Sequence, residues 1–581
     1  MKSESRCRVG LLRPLIITES KVDSVLDPLT NLECNCLENV HGSLRSLLIQ
    51  SSHVIRTFFP TAEPPQLRDP NSKDLVPTDI SCSEKILSTE LSLLNHQSSL
   101  LEELPVPLGT NMPMAILNML AHSPHLLAHN RHLAYQPGAV AARDYHRQTD
   151  NVPLAPMLIP RNLASVIPGQ YLVIFHETSD DDASFTEILS GHMAWIESLC
   201  KEKNDNSKVK CAFDFHRLMG YSGVFSSDIL QAIRRRPEVK YVEPNQKLCS
   251  YNQIHGDRKR GRNFHGSLAN RQRSPKKKPA IATQRNAPWN LCRLSSLKPR
   301  PKGGRYFFPQ KGGKGVDVYL IDSGINIDHS ELKGRARRGI NLTLSGPYTA
   351  TDNDVIGHGT NCAGIIAGSR FGVAKDANVI AVKIYESWAG SIEGLLCGLL
   401  WTMRAAEIGA ASGRASVASV SIICDSSTTV DSFFNMAVAS GVHVVVGAGN
   451  DAADAGGFSP AAAKGPITVG ATTKRDRVAS YSNHGPSVDI FAPGSDIMTT
   501  GNAHKLSVNI ASGTSLAVPH VAGVMALYLS LHPCTPEELK ELIIKDSSKG
   551  LLKGVPPNTH NRLLCICPLL ERINPAQDEH P

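Results

Sequence analysis

Four stretches of the chain, VDVYLID (316–322), ANVIAVKI (377–384), VASVSII (417–423) and GVHVVVGAG (441–449), are nearly continuous apolar runs, most of them separated by helical patterns. A strand that apolar has no wet face. It must be covered on both sides, which a parallel sheet with crossover helices achieves. The expected class is therefore α/β, with a doubly wound, mostly parallel sheet. In such sheets reactive groups collect beyond the carboxyl ends of the strands.

Upstream of this block the pattern changes. QYLVIFHE (170–177), VKCAFDFH (209–216), GYSGVFS (220–226) and KYVEPNQ (240–246) read as strands. DASFTEILSGHMAWIESLCKEKN (182–204) and SSDILQAIRRRPEV (226–239) read as helices, the second with a serine/aspartate start. The order β-α-β-β-α-β is that of a small α+β, ferredoxin-like unit. The chain thus divides into a weakly structured extension (1–165, with short helices expected near 88–103 and 114–122), the ferredoxin-like unit (166–248), a basic linker (249–286), the α/β block (287–568) and a tail (569–581). KYVEPNQ could run almost directly into TQRNAPWNL, so residues 247–281 read as an insertion.

Much of the net charge of +8 comes from RKRGRNFHGSLANRQRSPKKK (258–278). Such a run can bind nucleic acid, but no nucleic-acid-binding module flanks it and a solvated linker is the commoner use. No apolar stretch is long enough to span a bilayer. The opening MKSESRCRVGLLRPLIIT is a poor signal peptide, its apolar run being broken by Arg13 and Pro14. The 14 cysteines lack zinc-ligand spacing and leave the redox compartment open.

Four residues at element ends carry chemistry. Asp322 closes VDVYLID before a turn glycine, and His358 stands between two glycines ahead of a small-residue helix in DVIGHGTNCAGIIAG. Asn450 follows GVHVVVGAG, and Ser515 opens a helix in NIASGTSLAVPHVAG, with Pro519 near that helix's beginning. Singly, each has a bland use as a cap, a turn or a core residue. Together they suit acyl transfer. A serine hydroxyl needs a base to take its proton, and an imidazole can then protonate the leaving amine. A carboxylate holds the imidazole's tautomer, and an amide with a backbone N–H stabilises the oxyanion.

The order Asp, His, Ser is that of subtilisin-type proteases. YLIDSGI, GHGTNCAGIIAG, VVGAGN and SGTSLAVPHVAG resemble that family's diagnostic motifs, over about residues 287–568. APWNLCRLSS, VGATTKRDRVASYSNHGPSVDIFAPG and the cysteine of HGTNCAG resemble its proteinase K-like branch, and 166–248 resembles the family's inhibitory propeptide. The resemblance implies a serine endopeptidase made as a zymogen and cut between Val242 and Ala287. Asp322, His358 and Ser515 would be catalytic and Asn450 the oxyanion donor, with Ser421, Ile422 and Ile423 lining the substrate groove. Cys362 would lie under the catalytic histidine. No cofactor is needed for catalysis, but Asp489 matches a family calcium ligand, although Lys464 stands near the backbone ligands expected to face it.

By the same resemblance the partners are protein and peptide substrates and the chain's own propeptide, with no nucleic acid or membrane, and the protein is a monomer. The site of action is extracellular or vacuolar, and the NLT sequon at Asn341 agrees with that route. The chain departs from the family at Leu516, at Val518 and most of all at Ile423 and Cys424, which stand where small residues are usual. Two other classes stay open on the sequence: a subtilisin-like fold without efficient turnover that serves as a binding protein, and a basic nucleic-acid-binding protein.

Overall fold

The computed structural model describes residues 153–177, 182–215, 218–248, 280–298, 304–343, 354–386 and 390–574. The two short helices expected near 88–103 and 114–122, most of the basic linker and the last part of the tail lie outside the described residues. No helix among the described residues is long and apolar enough to cross a membrane.

The first elements are β1 (Val166–Phe175), α1 (Asp182–Glu202), β2 (Lys208–Phe215), β3 (Leu218–Val224), α2 (Ser227–Arg234) and β4 (Val239–Gln246). They make a four-stranded sheet in the order β2-β3-β1-β4, antiparallel throughout. The Ser226 hydroxyl accepts from Ile229 N and caps α2. Side chains alternate along β1: Val173 and Phe175 pack under α1 and α2, while Leu172 and Ile174 face the other way. The stretch before β1 is not loose where it is described. Leu158 N donates to Val242 O at 2.8 Å, adding a bridge to the outer edge of β4.

A hairpin of β5 (Ile281–Arg285) and β6 (Arg305–Pro309), with α3 (Trp289–Leu294) between its strands, leads into the large sheet. The elements β7 (Val316–Asp322), β8 (Ala336–Asn341), α4 (His358–Ala367), β9 (Asn378–Lys383), α5 (Ile392–Ala411), β10 (Ala415–Val420), β11 (Cys424–Asp425), α6 (Thr428–Ala439) and β12 (His443–Gly447) come next. The chain then forms β13 (Phe458–Ser459), β14 (Ile467–Thr472), β15 (Ile490–Pro493), β16 (Ile497–Thr500), β17 (Val508–Ala511), α7 (Thr514–Leu529) and α8 (Pro536–Asp546). It closes with β18 (Ser548–Lys549), β19 (Arg562–Leu563) and α9 (Cys567–Ile573).

Nine strands form one sheet in the order β18-β19-β15-β14-β12-β10-β7-β9-β8, parallel except for the β18/β19 pair. The strict alternation of a strand sorts its two apolar faces. Val316, Val318 and Leu320 join the core with α4 and α7, whereas Tyr319 and Ile321 join the one with α5 and α6. That second core also holds Leu172, Ile174, Phe213 and Phe215, so the small sheet lies on α5 and α6. The strand order reverses around β7, where β9 and β10 flank it, and there the carboxyl ends open a crevice. Asp322 is the last residue of β7.

The sequon expectation does not hold up. Asn341 is buried at the end of β8, with Oδ1 accepting from Thr343 N at 3.0 Å and Thr343 Oγ1 at 2.8 Å. A glycan acceptor needs an exposed amide.

Candidate active site

His358 is the first residue of α4. Its Nδ1 lies 2.8 and 2.9 Å from the two oxygens of Asp322, and both side chains are almost wholly buried. With a carboxylate on Nδ1, that nitrogen carries the proton and Nε2 is left as the basic atom. Burial pulls the imidazole's pKa down, but the charge and hydrogen bond of Asp322, helped by Asp354, outweigh it and hold the pKa above 6.5. Helix and strand meet closely because residue 359 is glycine. A Cβ there would lie 2.0 Å from Gly324 O and 3.2 Å from Asp322 Oδ1.

Asp354 was not singled out from the sequence, yet it builds this corner. Its carboxylate accepts from Ser323 Oγ, Gly357 N and Thr360 N, each at 2.7 Å. The last two are free N–H groups of the α4 N-terminus, so one buried carboxylate caps the helix that carries His358 and ties it beside Asp322. Burial raises the Asp354 pKa in spite of these donors. Its position four residues ahead of His358, just before a glycine-bracketed helix start, was the signal available.

Ser515 is the second residue of α7, which is buried along its whole length and packs on α4. Pro519 does not sit in the first turn, where a proline is best tolerated. It is the sixth residue of the helix, so its missing N–H deprives the Ser515 carbonyl of its intrahelical donor. Two side chains replace it: Ser421 Oγ donates at 3.0 Å and Cys362 Sγ at 3.4 Å. Cys362 lies one helical turn beyond His358 on the same side of α4, and its contact brings the His358 helix to the Ser515 backbone. Burial pushes the Cys362 thiol pKa well up, which keeps it a neutral donor. The Ser421 hydroxyl is therefore engaged under Ser515.

Asn450 follows β12. Thr514 N and Thr514 Oγ1 donate to its Oδ1 at 2.8 and 3.0 Å, which fixes the amide with Nδ2 turned outward. Gly513 keeps the space in front of it open. A Cβ on Gly513 would stand 2.9 Å from Ser515 Oγ and 3.4 Å from Asn450 Nδ2, so hydroxyl and amide border one small volume. Ile422 and Cys424 pack into the core with α6, and Ile423 is 1% exposed, absent from that core and out of phase with both.

The calcium expectation at Asp489 meets an obstacle. Lys540 Nζ, from α8, lies 3.1 Å from Asp489 Oδ2 and donates to Lys464 O at 2.9 Å and Pro466 O at 2.7 Å. An ammonium already occupies the point on which these oxygens converge. The residues present do not fit a divalent cation.

The subtilase family profile matches residues 313–562, and the peptidase inhibitor I9 profile matches residues 170–249. The subtilisin-like serine protease Pen c 2 of Penicillium citrinum is 36% identical over 469 residues, 74% of this chain and 94% of that protein. The chain belongs to the subtilase family of serine-type peptidases. Alkaline protease 2 of Aspergillus fumigatus is 34% identical over 447 residues, 70% of this subtilase and 83% of the relative. A solved cold adapted subtilisin-like serine proteinase aligns at 37% identity with a TM-score of 0.44, over 48% of this chain and 98% of that one.

Proposed function

We propose that this subtilase is a serine endopeptidase in which Ser515 is the nucleophile, His358 the general base and acid, Asp322 the group that orients it, and Asn450 an oxyanion donor. The observation that carries this reading is the buried, two-oxygen contact of Asp322 with His358 Nδ1, beside the helix that bears Ser515. His358 takes the Ser515 proton as Oγ attacks the peptide carbonyl. The oxyanion is met by Asn450 Nδ2 and the Ser515 N–H at the α7 N-terminus, which needs no reorganisation because Thr514 has fixed the amide. The imidazolium, stabilised by Asp322, protonates the leaving amine, and a water repeats the cycle on the acyl-enzyme. Every group comes from one chain, so a monomer suffices.

The same reading makes residues 166–248 the inhibitory propeptide, 287–568 the mature enzyme, and the compartment extracellular or vacuolar. Contacts across the two parts support it. Glu243 is buried, accepts from Thr429 Oγ1 at 2.7 Å and Thr429 N at 3.2 Å, and so meets the N-terminal end of α6. Beyond β4, Leu248 N donates to Gly390 O at 3.0 Å, and Lys247 bridges Ser391 in antiparallel fashion. A peptide that adds itself as a strand in the groove would follow this path.

A serine-directed phosphonate probe tests the reading. It should label Ser515 in the processed protein, and Ser515→Ala should leave an uncut precursor in cells lacking other proteases. Normal processing of that variant would show that another enzyme makes the cut, and absent labelling in the processed parent would overturn the assignment of the nucleophile.

A further inference from the structure

Cys211 on β2 and Cys397 on α5 bring their sulfurs to 2.6 Å from each other. One residue lies in the unit read as the propeptide and the other in the peptidase, 186 residues apart in sequence. Both directions are set by regular structure. Along β2, Cys211 is in phase with Phe213 and Phe215, which pack into the core shared with α5 and α6, and Phe213 meets the Phe433 ring edge-on at 5.3 Å. On α5, Cys397 lies one turn from Glu393, which reaches Lys210 Nζ at 3.7 Å. Further along α5, Arg404 Nη2 donates to Asp214 O at 2.9 Å. The two sulfurs therefore sit inside a docked surface held on either side by polar contacts. Each is half-buried, so a small reagent can reach them.

We propose that Cys211 and Cys397 form a disulfide that keeps the propeptide on the peptidase after the connecting chain is cut, so that release requires a thiol reductant. The functional half of this rests on the reading of residues 166–248 as an inhibitor. The oxidant is a low-molecular-weight disulfide such as oxidised glutathione. One protein thiolate attacks it, forming a mixed disulfide and expelling one glutathione thiolate. The second protein thiolate attacks the protein-bound sulfur of that mixed disulfide and expels the other. Two protein thiols lose two protons and are oxidised, and one small disulfide is reduced to two thiols. A thiol reductant reverses both exchanges. While the bond stands, a cut propeptide rebinds at an effective concentration on the order of mM, so dilution does not release it.

The test begins with the full-length Ser515→Ala precursor, folded in a glutathione redox pair, alkylated without reduction and digested. Cys211 and Cys397 should be recovered in one cross-linked species that reductant separates. Recovery of both as alkylated thiols from folded precursor overturns the proposal. In the active parent, the cut propeptide should migrate with the peptidase on a denaturing, non-reducing gel and apart from it after reduction. In Cys211→Ser and in Cys397→Ser it should migrate apart in both. Reductant should raise hydrolysis of a short peptide by the processed parent roughly tenfold or more and leave the processed Cys211→Ser enzyme unchanged. A cross-link present without that gain overturns the inhibitor reading and leaves the disulfide standing, so the two failures are told apart.

Discussion

The Tyr385 hydroxyl donates to Asp322 Oδ1 at 3.0 Å, the same oxygen that lies 2.8 Å from His358 Nδ1 and accepts from Ser323 N at 2.7 Å. The phenol thus draws charge from the carboxylate that raises the His358 pKa. Tyr385→Phe keeps the ring and removes the donor, so Asp322 should hold the imidazolium more tightly. A hydrogen bond of net worth ~1 kcal/mol is a few-fold in that protonation equilibrium. The acid limb of kcat/KM against pH should therefore move to higher pH, with little change on the plateau. A limb that stays in place would show that Tyr385 only fills space.

The same histidine fixes a sign for stability. Its folded pKa lies above 6.5, so the folded state binds the proton more tightly than the unfolded one. The stability this contributes is fully present below 6.5 and is lost as pH rises through the raised folded value. On the proposed mechanism activity needs the neutral imidazole and runs the opposite way. Replacing His358 with Gln should flatten that part of the melting-temperature profile, and an unchanged slope would assign it to other groups.

His192 in the small sheet has the reverse sign. It is fully buried between Glu238 Oε1, 2.6 Å from Nδ1, and the Tyr221 hydroxyl, 2.9 Å from Nε2. Burial lowers its pKa, and the nearby carboxylate does not make up the difference. A depressed folded pKa means that its stabilising contribution is present above 6.5 and is lost as pH falls below it. In the Ser515→Ala precursor, amide exchange across β1 to β4, corrected for intrinsic rates, should quicken between about pH 7.5 and about pH 5, where a histidine titrates. The α7 amides should stay protected. Equal protection of β1 to β4 at both values would rule out His192 as a weak point.

Much of the fold and the outline of the site could be read from the chain because they follow local rules. Apolar runs such as VDVYLID demand cover on both faces, and Asp322, His358, Asn450 and Ser515 each stand at an element end with a glycine nearby. What could not be read depends on partners distant in sequence. Tyr385 reaches Asp322 across 63 residues, Ser421 reaches the Ser515 carbonyl across 94, and nothing beside either residue announces it. Lys540, placed on an exposed-looking charged helix, finds its three oxygens 51 to 76 residues away.

That lysine gives the next prediction. Its ammonium ties Asp489 Oδ2 and the carbonyls of Lys464 and Pro466 to α8, so chelator should leave the melting temperature of the parent unchanged. Lys540→Ala leaves those oxygens facing one another without a cation, at a cost of ~1–3 kcal/mol, or about 2–4 °C for each kcal/mol in a domain of this size. Calcium should restore part of the loss in the variant only. If chelator lowers the parent's melting temperature, the oxygen cluster does not exclude a metal as argued.

Ile423, read as a residue of the substrate groove, should set which side chain precedes the cut bond. The side chain is 1% exposed and does not turn to solvent, and it belongs to neither the core of Ile422 nor that of the sheet. Its neighbours on both sides, Ile422 and Cys424, pack into the core with α6, so the alternation of an extended backbone turns Ile423 away from that core. The family resemblance implies a small residue here, beside the first substrate pocket; on that reading a branched side chain leaves less room for the residue that precedes the cut bond. Forcing a large ring against it is an overpacking of ~1–3 kcal/mol, or about one to two powers of ten in rate. The parent should cleave after Ala faster than after Phe or Tyr by kcat/KM, and Ile423→Gly should reverse the order. A parent that prefers Phe, with a glycine variant that changes little, would place Ile423 outside the first pocket.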